Sequence, residues 1–226
     1  MNPKDRQDRV QFFRGMLERH GAVPQALDWG NRPRQDVRFD VLWSILKDCP
    51  GSSVLDVGCG LGDLHTFLRS KGWQGKYFGI DIVPEFARIA QERSPGSDIR
   101  VLDLADAATD LSAAPVRELE ADFVYASGIF NHSLPTKTEI ANADTMLAAM
   151  FGLCRTAVVC DWLSSFVDFT RPESCHWSPD IVLLMSRRLT RRITLKMDYL
   201  PFEFATVLWK DDRLDDRGVF VGARMA

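Results

Sequence analysis

Apolar residues along this chain fall into two kinds of run. Val10, Phe13 and Leu17 recur at helical spacing between Asp5 and His20, and Gly21 can end that segment. A second amphipathic stretch extends from Arg34 to Lys47 and stops at Cys49-Pro50-Gly51. Beyond it the pattern changes to short apolar runs alternating with helical stretches. Ser53–Val57 precedes a helix to about Lys71, Tyr77–Ile80 precedes one from Pro84 to Arg93, and Ile99–Leu102 is the next strand-like run. Phe123–Ala126, a long helix over Lys137 to Cys154, and Ala157–Cys160 continue the alternation. Strands that alternate with helices predict βαβ units, hence an α/β fold with a parallel sheet covered on both faces. The end differs: after a helix over Pro179 to Arg188, Arg192–Met197 and Phe204–Trp209 are joined only by Asp198-Tyr199-Leu200-Pro201. A link that short makes the pair antiparallel, because a parallel return needs a crossover of about a dozen residues.

The first apolar run leads directly into Gly58, Gly60 and Gly62. Glycines at alternate positions let the backbone pass close beneath a ligand, and the N–H groups of the following helix offer donors. A dinucleotide fingerprint would place glycine at the first, third and sixth positions, whereas the sixth position here is Asp63, a carboxylate where a pyrophosphate would lie. The spacing therefore disfavours a nicotinamide-dependent oxidoreductase.

Composition narrows the classes further. The 226 residues are 46% hydrophobic and 26% charged with a net charge of −3, the profile of an ordinary globular domain. No apolar run reaches the roughly 18 residues of a membrane span and the N-terminus lacks a signal-peptide pattern, so a cytoplasmic protein without a membrane partner is expected. The five cysteines form no CxxC or Cys/His cluster, which indicates neither a disulfide frame nor a metal. The densest basic cluster, Arg187, Arg188, Arg191, Arg192 and Lys196, reads as a solvated face rather than a phosphate track, so no nucleic-acid partner is expected.

Residues 54–64, Val-Leu-Asp-Val-Gly-Cys-Gly-Leu-Gly-Asp-Leu, resemble motif I of the class I S-adenosylmethionine (SAM) methyltransferases. The resemblance implies a Rossmann-like seven-stranded sheet, mostly parallel with an antiparallel C-terminal hairpin strand, in one domain over residues 1–226. Residues 1–48 would form a helical lid and 49–226 the core. It also implies SAM as cofactor, S-adenosylhomocysteine (SAH) as product, and a cofactor site containing Asp56, Gly58, Cys59, Gly60 and Gly62. Asp81, 19 residues beyond Gly62, would accept hydrogen bonds from the ribose hydroxyls, with Ile82 beside it. Asp103 and the N–H of Leu104 would receive the adenine, and Ser127 and Gly128 would lie beside the methionine arm.

The stretch from Trp29 through Arg38 resembles the lid of small bacterial members of this family, in which an arginine pairs with the cofactor's carboxylate. Arg38 suits that role because a guanidinium holds a carboxylate bidentately. The turn after the fourth strand lacks the Asn-Pro-Pro-Tyr/Phe-like signature of base-amine methylation. Acceptor contacts are expected from Phe130, Asn131, Trp162, Ser164, Ser165, Trp177, Tyr199 and Phe202, an aromatic-rich set fitting an apolar pocket. If the acceptor must lose a proton, His132, His176 and Glu203 are the candidate bases. The expected activity is methyl transfer to O or N of a small molecule of natural-product or sugar type, by a monomer or homodimer. An RNA or protein methyltransferase and a catalytically inactive SAM-binding subunit are the competing readings.

Overall fold

The computed structural model describes residues 1–106 and 117–222. Its order is α1 (Pro3–His20), a 3-10 turn (Pro24–Leu27), α2 (Arg32–Leu46), β1 (Val54–Val57), α3 (Asp63–Ser70), β2 (Tyr77–Asp81), α4 (Pro84–Arg93) and β3 (Asp98–Val101). It continues with β4 (Ala121–Ala126), α5 (Glu139–Leu153), β5 (Cys154–Leu163), α6 (Pro179–Arg187), β6 (Ile193–Lys196) and β7 (Glu203–Trp209). Every strand and helix expected from the apolar pattern is present. Local chemistry sets the helix starts: Asn2 accepts from the N–H groups of Lys4 and Asp5, Asn31 accepts from that of Arg34, and Pro84 opens α4.

The seven strands form one sheet in the order β3-β2-β1-β4-β5-β7-β6. β7 pairs antiparallel with both β5 and β6, so it alone runs against the others. All residues of β1 and β2 are buried, as in parallel strands covered on both faces. On one face, α5 and α6 pack Met146, Leu147, Met150, Val182 and Met185 against Leu55, Ile80, Val124 and Val158. On the other, Phe39, Leu42 and Leu46 of α2 join Phe67 and Leu68 of α3 against Val54, Tyr77, Tyr125 and Val207.

α1 lies across the carboxyl edge of the sheet. Asp5 accepts from the Thr136 backbone N–H at 3.3 Å, Arg9 donates to the Ser133 carbonyl at 3.2 Å, and Phe13 meets Phe86 edge-on at 5.8 Å. β5 is longer than its apolar run, so Asp161 and Trp162 belong to the strand rather than to the loop after it. The basic cluster is engaged locally: Arg188 pairs with Asp144, Arg191 with Asp212, Lys196 with Asp198, and Arg192 lies over Trp209. No helix among the described residues is long and apolar enough to cross a membrane.

Candidate functional site

A cavity of about 350 Å³ opens at the carboxyl ends of β1, β2 and β4, beneath α1 and the turn at Pro24–Leu27. Open α/β sheets bind ligands at this edge, where the crossovers separate. Gly58 and Gly60 form its floor, with φ of 78° and 52°, in the left-handed region that side chains rarely adopt. A Cβ on Gly58 would stand 2.3 Å from Ile129 Cγ2, and one on Gly60 would stand 2.9 Å from Leu27 Cδ2. The glycines therefore provide clearance. They do not provide free donors: the Gly58 and Cys59 N–H groups both donate to the Ile80 carbonyl, and that of Gly60 to Asp81 Oδ2 at 2.9 Å.

Asp81 terminates β2 against this turn. Its Oδ1 accepts from the Val83 N–H at 2.8 Å, so the backbone fixes the carboxyl while each oxygen keeps a further lone pair. Burial lifts its pKa to about 6, against the pull of those N–H donors. Ile82 lines the wall beside it. Beyond β3, Asp103 accepts from the Ala105 N–H at 2.9 Å and lies 3.7 Å from Arg6 of α1; it and Leu104 also line the cavity, as do Ser127, Gly128 and Trp29. A Cβ on Gly128 would come 2.7 Å from the Trp29 ring, so this glycine admits the indole.

Three expected cofactor residues do not line the cavity. Asp56 is buried within β1, where Tyr77 Oη donates to it at 2.6 Å, and desolvation lifts its pKa to about 7. Cys59 packs toward Gly79, and Gly62 lies against Ala90 of α4 and Ser94 at its C-terminal cap, where a Cβ would crowd the helix. A strand's alternating pleat turns Asp56 away from the edge that its neighbour in sequence helps to build. Asp63 also faces elsewhere, toward Arg32 at 2.9 Å and Gln35 at 3.3 Å, so its charge does not itself bar a phosphate from the cleft.

Arg38 does line the cavity, and three of its five N–H donors are engaged within the protein. Nε donates to Glu203 Oε2 at 2.6 Å, Nη2 donates to Glu203 Oε1, and Nη1 donates to the Arg34 carbonyl at 2.9 Å. The guanidinium also lies over the Trp29 ring at 4.3 Å. The carboxylate it holds in this structure is Glu203, whereas the sequence pointed to the cofactor's carboxylate. Glu203 is in turn occupied as a partner rather than available as a base.

On the acceptor side, Phe130, Asn131 and Phe202 line the cavity as expected. Trp162 and Trp177 stand one layer behind: Trp162 stacks on Phe130 at 4.5 Å, and Trp177 donates from Nε1 to the Phe130 carbonyl at 2.9 Å. Large rings whose N–H finds a buried acceptor make good walls for a pocket, and these two support its face from within. Ser164 accepts from the Phe166 N–H at 3.0 Å, Ser165 is exposed, and Tyr199 packs with the opposite core cluster; none of the three lines the cavity. Sequence reading missed Arg9, Phe13 and Leu27 under the lid, and Val167, Phe169 and Arg171 at the mouth. The phase of Phe13 on α1 was the only local signal for any of them.

Both candidate histidines line the cavity. His132 meets Phe12 and Phe13 edge-on at 5.5 and 5.6 Å, with Nε2 3.8 Å from Asp28 Oδ2; burial lowers its pKa to about 4. His176 is anchored through Nδ1, 2.9 Å from the Ser164 carbonyl. No group of three His, Cys, Asp or Glu side chains among the described residues is arranged to hold a metal ion.

A family model described as a methyltransferase domain matches residues 54–155. The Mycobacterium tuberculosis protein provisionally named methyltransferase Rv1506c is 31% identical over 163 residues, covering 70% of this chain and 93% of that protein. Among solved structures, the DhpI–SAH complex matches with a TM-score of 0.62 at 14% identity, covering 92% of this chain and 97% of the other. Magnesium protoporphyrin IX methyltransferase from Synechocystis PCC 6803, with bound SAH, gives a TM-score of 0.61 at 13% identity, covering 91% and 99%. Both structures share this fold.

Proposed function

The chain belongs to the class I SAM-dependent methyltransferases, and from that premise we propose that its carboxyl-edge cleft binds SAM and directs methyl transfer to a small-molecule acceptor. The observation that carries this reading is the convergence of Gly58, Gly60, Asp81, Asp103 and Gly128 on one cavity, although they lie on four separate connections of the sheet. The fit is chemical as well as spatial. A fixed acceptor carboxyl at the end of β2 suits a diol, and the floor glycines leave room for a ligand that side chains would exclude.

Asp81 and Ile82 would hold the ribose, Asp103 and Leu104 the adenine, and Gly58, Gly60, Ser127 and Gly128 the amino-acid arm. SAM, when bound, supplies an electrophilic methyl group on a positively charged sulfur. The residues of this chain then orient an acceptor against the Trp29, Phe130 and Phe202 wall and keep water out beneath α1. Alignment of this kind accounts for about 7 to 11 kcal/mol of a barrier. An acceptor of natural-product or sugar type fits such an apolar-walled pocket with few polar fixtures. Calorimetric titration with SAM and SAH tests the reading. Asp81→Ala is expected to weaken SAM binding at least tenfold, from loss of hydrogen bonds to a charged group worth roughly 1.5–3 kcal/mol. Unchanged affinity in a folded variant would refute the assignment.

A further inference from the structure

Asn142 Oδ1 and His176 Nε2 belong to residues that line the cavity, and both are buried without a hydrogen-bond partner among the described residues. His176 Nε2 is shielded from solvent and meets no donor or acceptor among the described residues, although its ring lines the cavity. The opposite edge of the ring fixes its protonation pattern. Nδ1 lies 2.9 Å from the Ser164 carbonyl, and a carbonyl oxygen only accepts, so Nδ1 must carry the hydrogen. In the neutral ring, Nε2 is then a bare lone pair. Leaving such an atom unsatisfied in a buried position carries a desolvation cost that a ligand proton would remove.

The segment that carries His176 is held rigidly. Ser165 N–H donates to the Trp177 carbonyl at 2.8 Å, Trp177 N–H to Leu163 at 2.7 Å, and Cys175 N–H to Asn131 at 2.9 Å. The ring is thus clamped between the end of β5 and the turn after β4. The two rival bases are otherwise engaged: Glu203 by the Arg38 guanidinium, and His132 between two phenylalanine rings, where burial suppresses its basicity.

Resting on the SAM-site reading above, we infer that His176 is the general base and that the acceptor nucleophile is an un-ionised hydroxyl carried on an apolar, flat body. As the acceptor oxygen forms its bond to the methyl carbon, its proton passes to His176 Nε2. The carbon–sulfur bond breaks with its electron pair remaining on sulfur, giving a methyl ether, SAH and an imidazolium that returns its proton to solvent. An ionised carboxylate would have no proton to give this atom. The lining carries acids such as Asp28 as well as Arg34 and Arg171, so the discrimination lies in desolvation: a protonated amine loses far more than a neutral hydroxyl on leaving water for the apolar wall. Phe130, Val167, Phe169 and Phe202 provide the apolar wall for the acceptor body.

The test uses three probes that share one ring system: 4-phenylphenol, 4-phenylbenzoate and 4-phenylbenzylamine, each with methyl-labelled SAM. SAM binding by the wild type is measured first, because its absence defeats the SAM-site reading rather than the base assignment. With SAM bound, the expected result is label in the methyl ether of 4-phenylphenol. His176→Gln should lower that transfer roughly 10²- to 10⁴-fold while SAM affinity stays within twofold. Methylation of the benzoate, of the benzylamine or of none of the three overturns the inference, as does undiminished ether formation by His176→Gln. Long-range ¹H–¹⁵N spectra of histidine-labelled wild type, assigned with the same variant, check the tautomer independently of turnover. A bare Nε2 is expected, and an Nε2–H tautomer overturns the inference.

Discussion

Replacing Glu203 with alanine isolates the buried ion pair that ties the second helix to the last strand. Arg38 and Glu203 side chains are only 6% and 2% exposed, so water screens their interaction very little. Two guanidinium N–H groups meet the two carboxylate oxygens, one at 2.6 Å, and the same guanidinium covers the Trp29 ring. Removing the carboxylate strands a desolvated cation, a change that typically costs 3–5 kcal/mol. Arg34, 4.0 Å from Glu203, cannot compensate because it is itself cationic, and Asp161, the other buried carboxyl that feels Arg38, is already held by the Gly128 N–H at 2.9 Å. Urea denaturation of Glu203→Ala is therefore expected to show a loss of about 3–5 kcal/mol with an unchanged m-value. The double variant Arg38→Met/Glu203→Leu should recover most of that loss, since apolar replacement of both partners is often neutral or stabilising. A cost below about 1 kcal/mol, the range of an exposed pair, would show that the guanidinium has another partner in solution and would reopen its assignment to the cofactor's carboxylate.

Gly60→Val places a branched side chain where even a Cβ stands 2.9 Å from Leu27, at a backbone φ of 52°; at least tenfold weaker SAM binding by calorimetry is expected, and normal affinity would remove the glycine turn from the site. For Asp56, burial raises the folded pKa to about 7 from the ordinary 3.8. Between those values the folded protein keeps a proton that the unfolded chain has released, so this carboxyl's stabilising contribution is complete below about pH 4 and is lost as pH rises to about 7. At about 1.4 kcal/mol per unit the loss is roughly 4 kcal/mol, and Asp56→Asn should flatten the decline in urea-unfolding free energy measured across that range.

Two periodicities made the fold legible in one dimension. Continuous apolar runs at β1, β2, β4 and β5, alternating with helical spacing, required a covered parallel sheet, and the short Asp198–Pro201 link required the antiparallel return. The glycine turn and the acid after β2 were equally legible, because a chain that must bend sharply at a strand end declares it in its residue types. The site was only partly so. Asp56 and Cys59 sit next to true lining residues in sequence, yet the pleat and the turn direct them into the interior.

The sequence by itself determined the element order, the sheet type and the edge at which the cavity opens, since these follow from local periodicity and turn chemistry. Only the tertiary structure decided which charged groups remain available there. It gave the Arg38 guanidinium to Glu203, 165 residues away in the chain, set Trp162 and Trp177 behind Phe130, and engaged Nδ1 of His176 while leaving Nε2 without a partner among the described residues. Such pairings depend on distances between strands and helices remote in sequence, which no local pattern encodes.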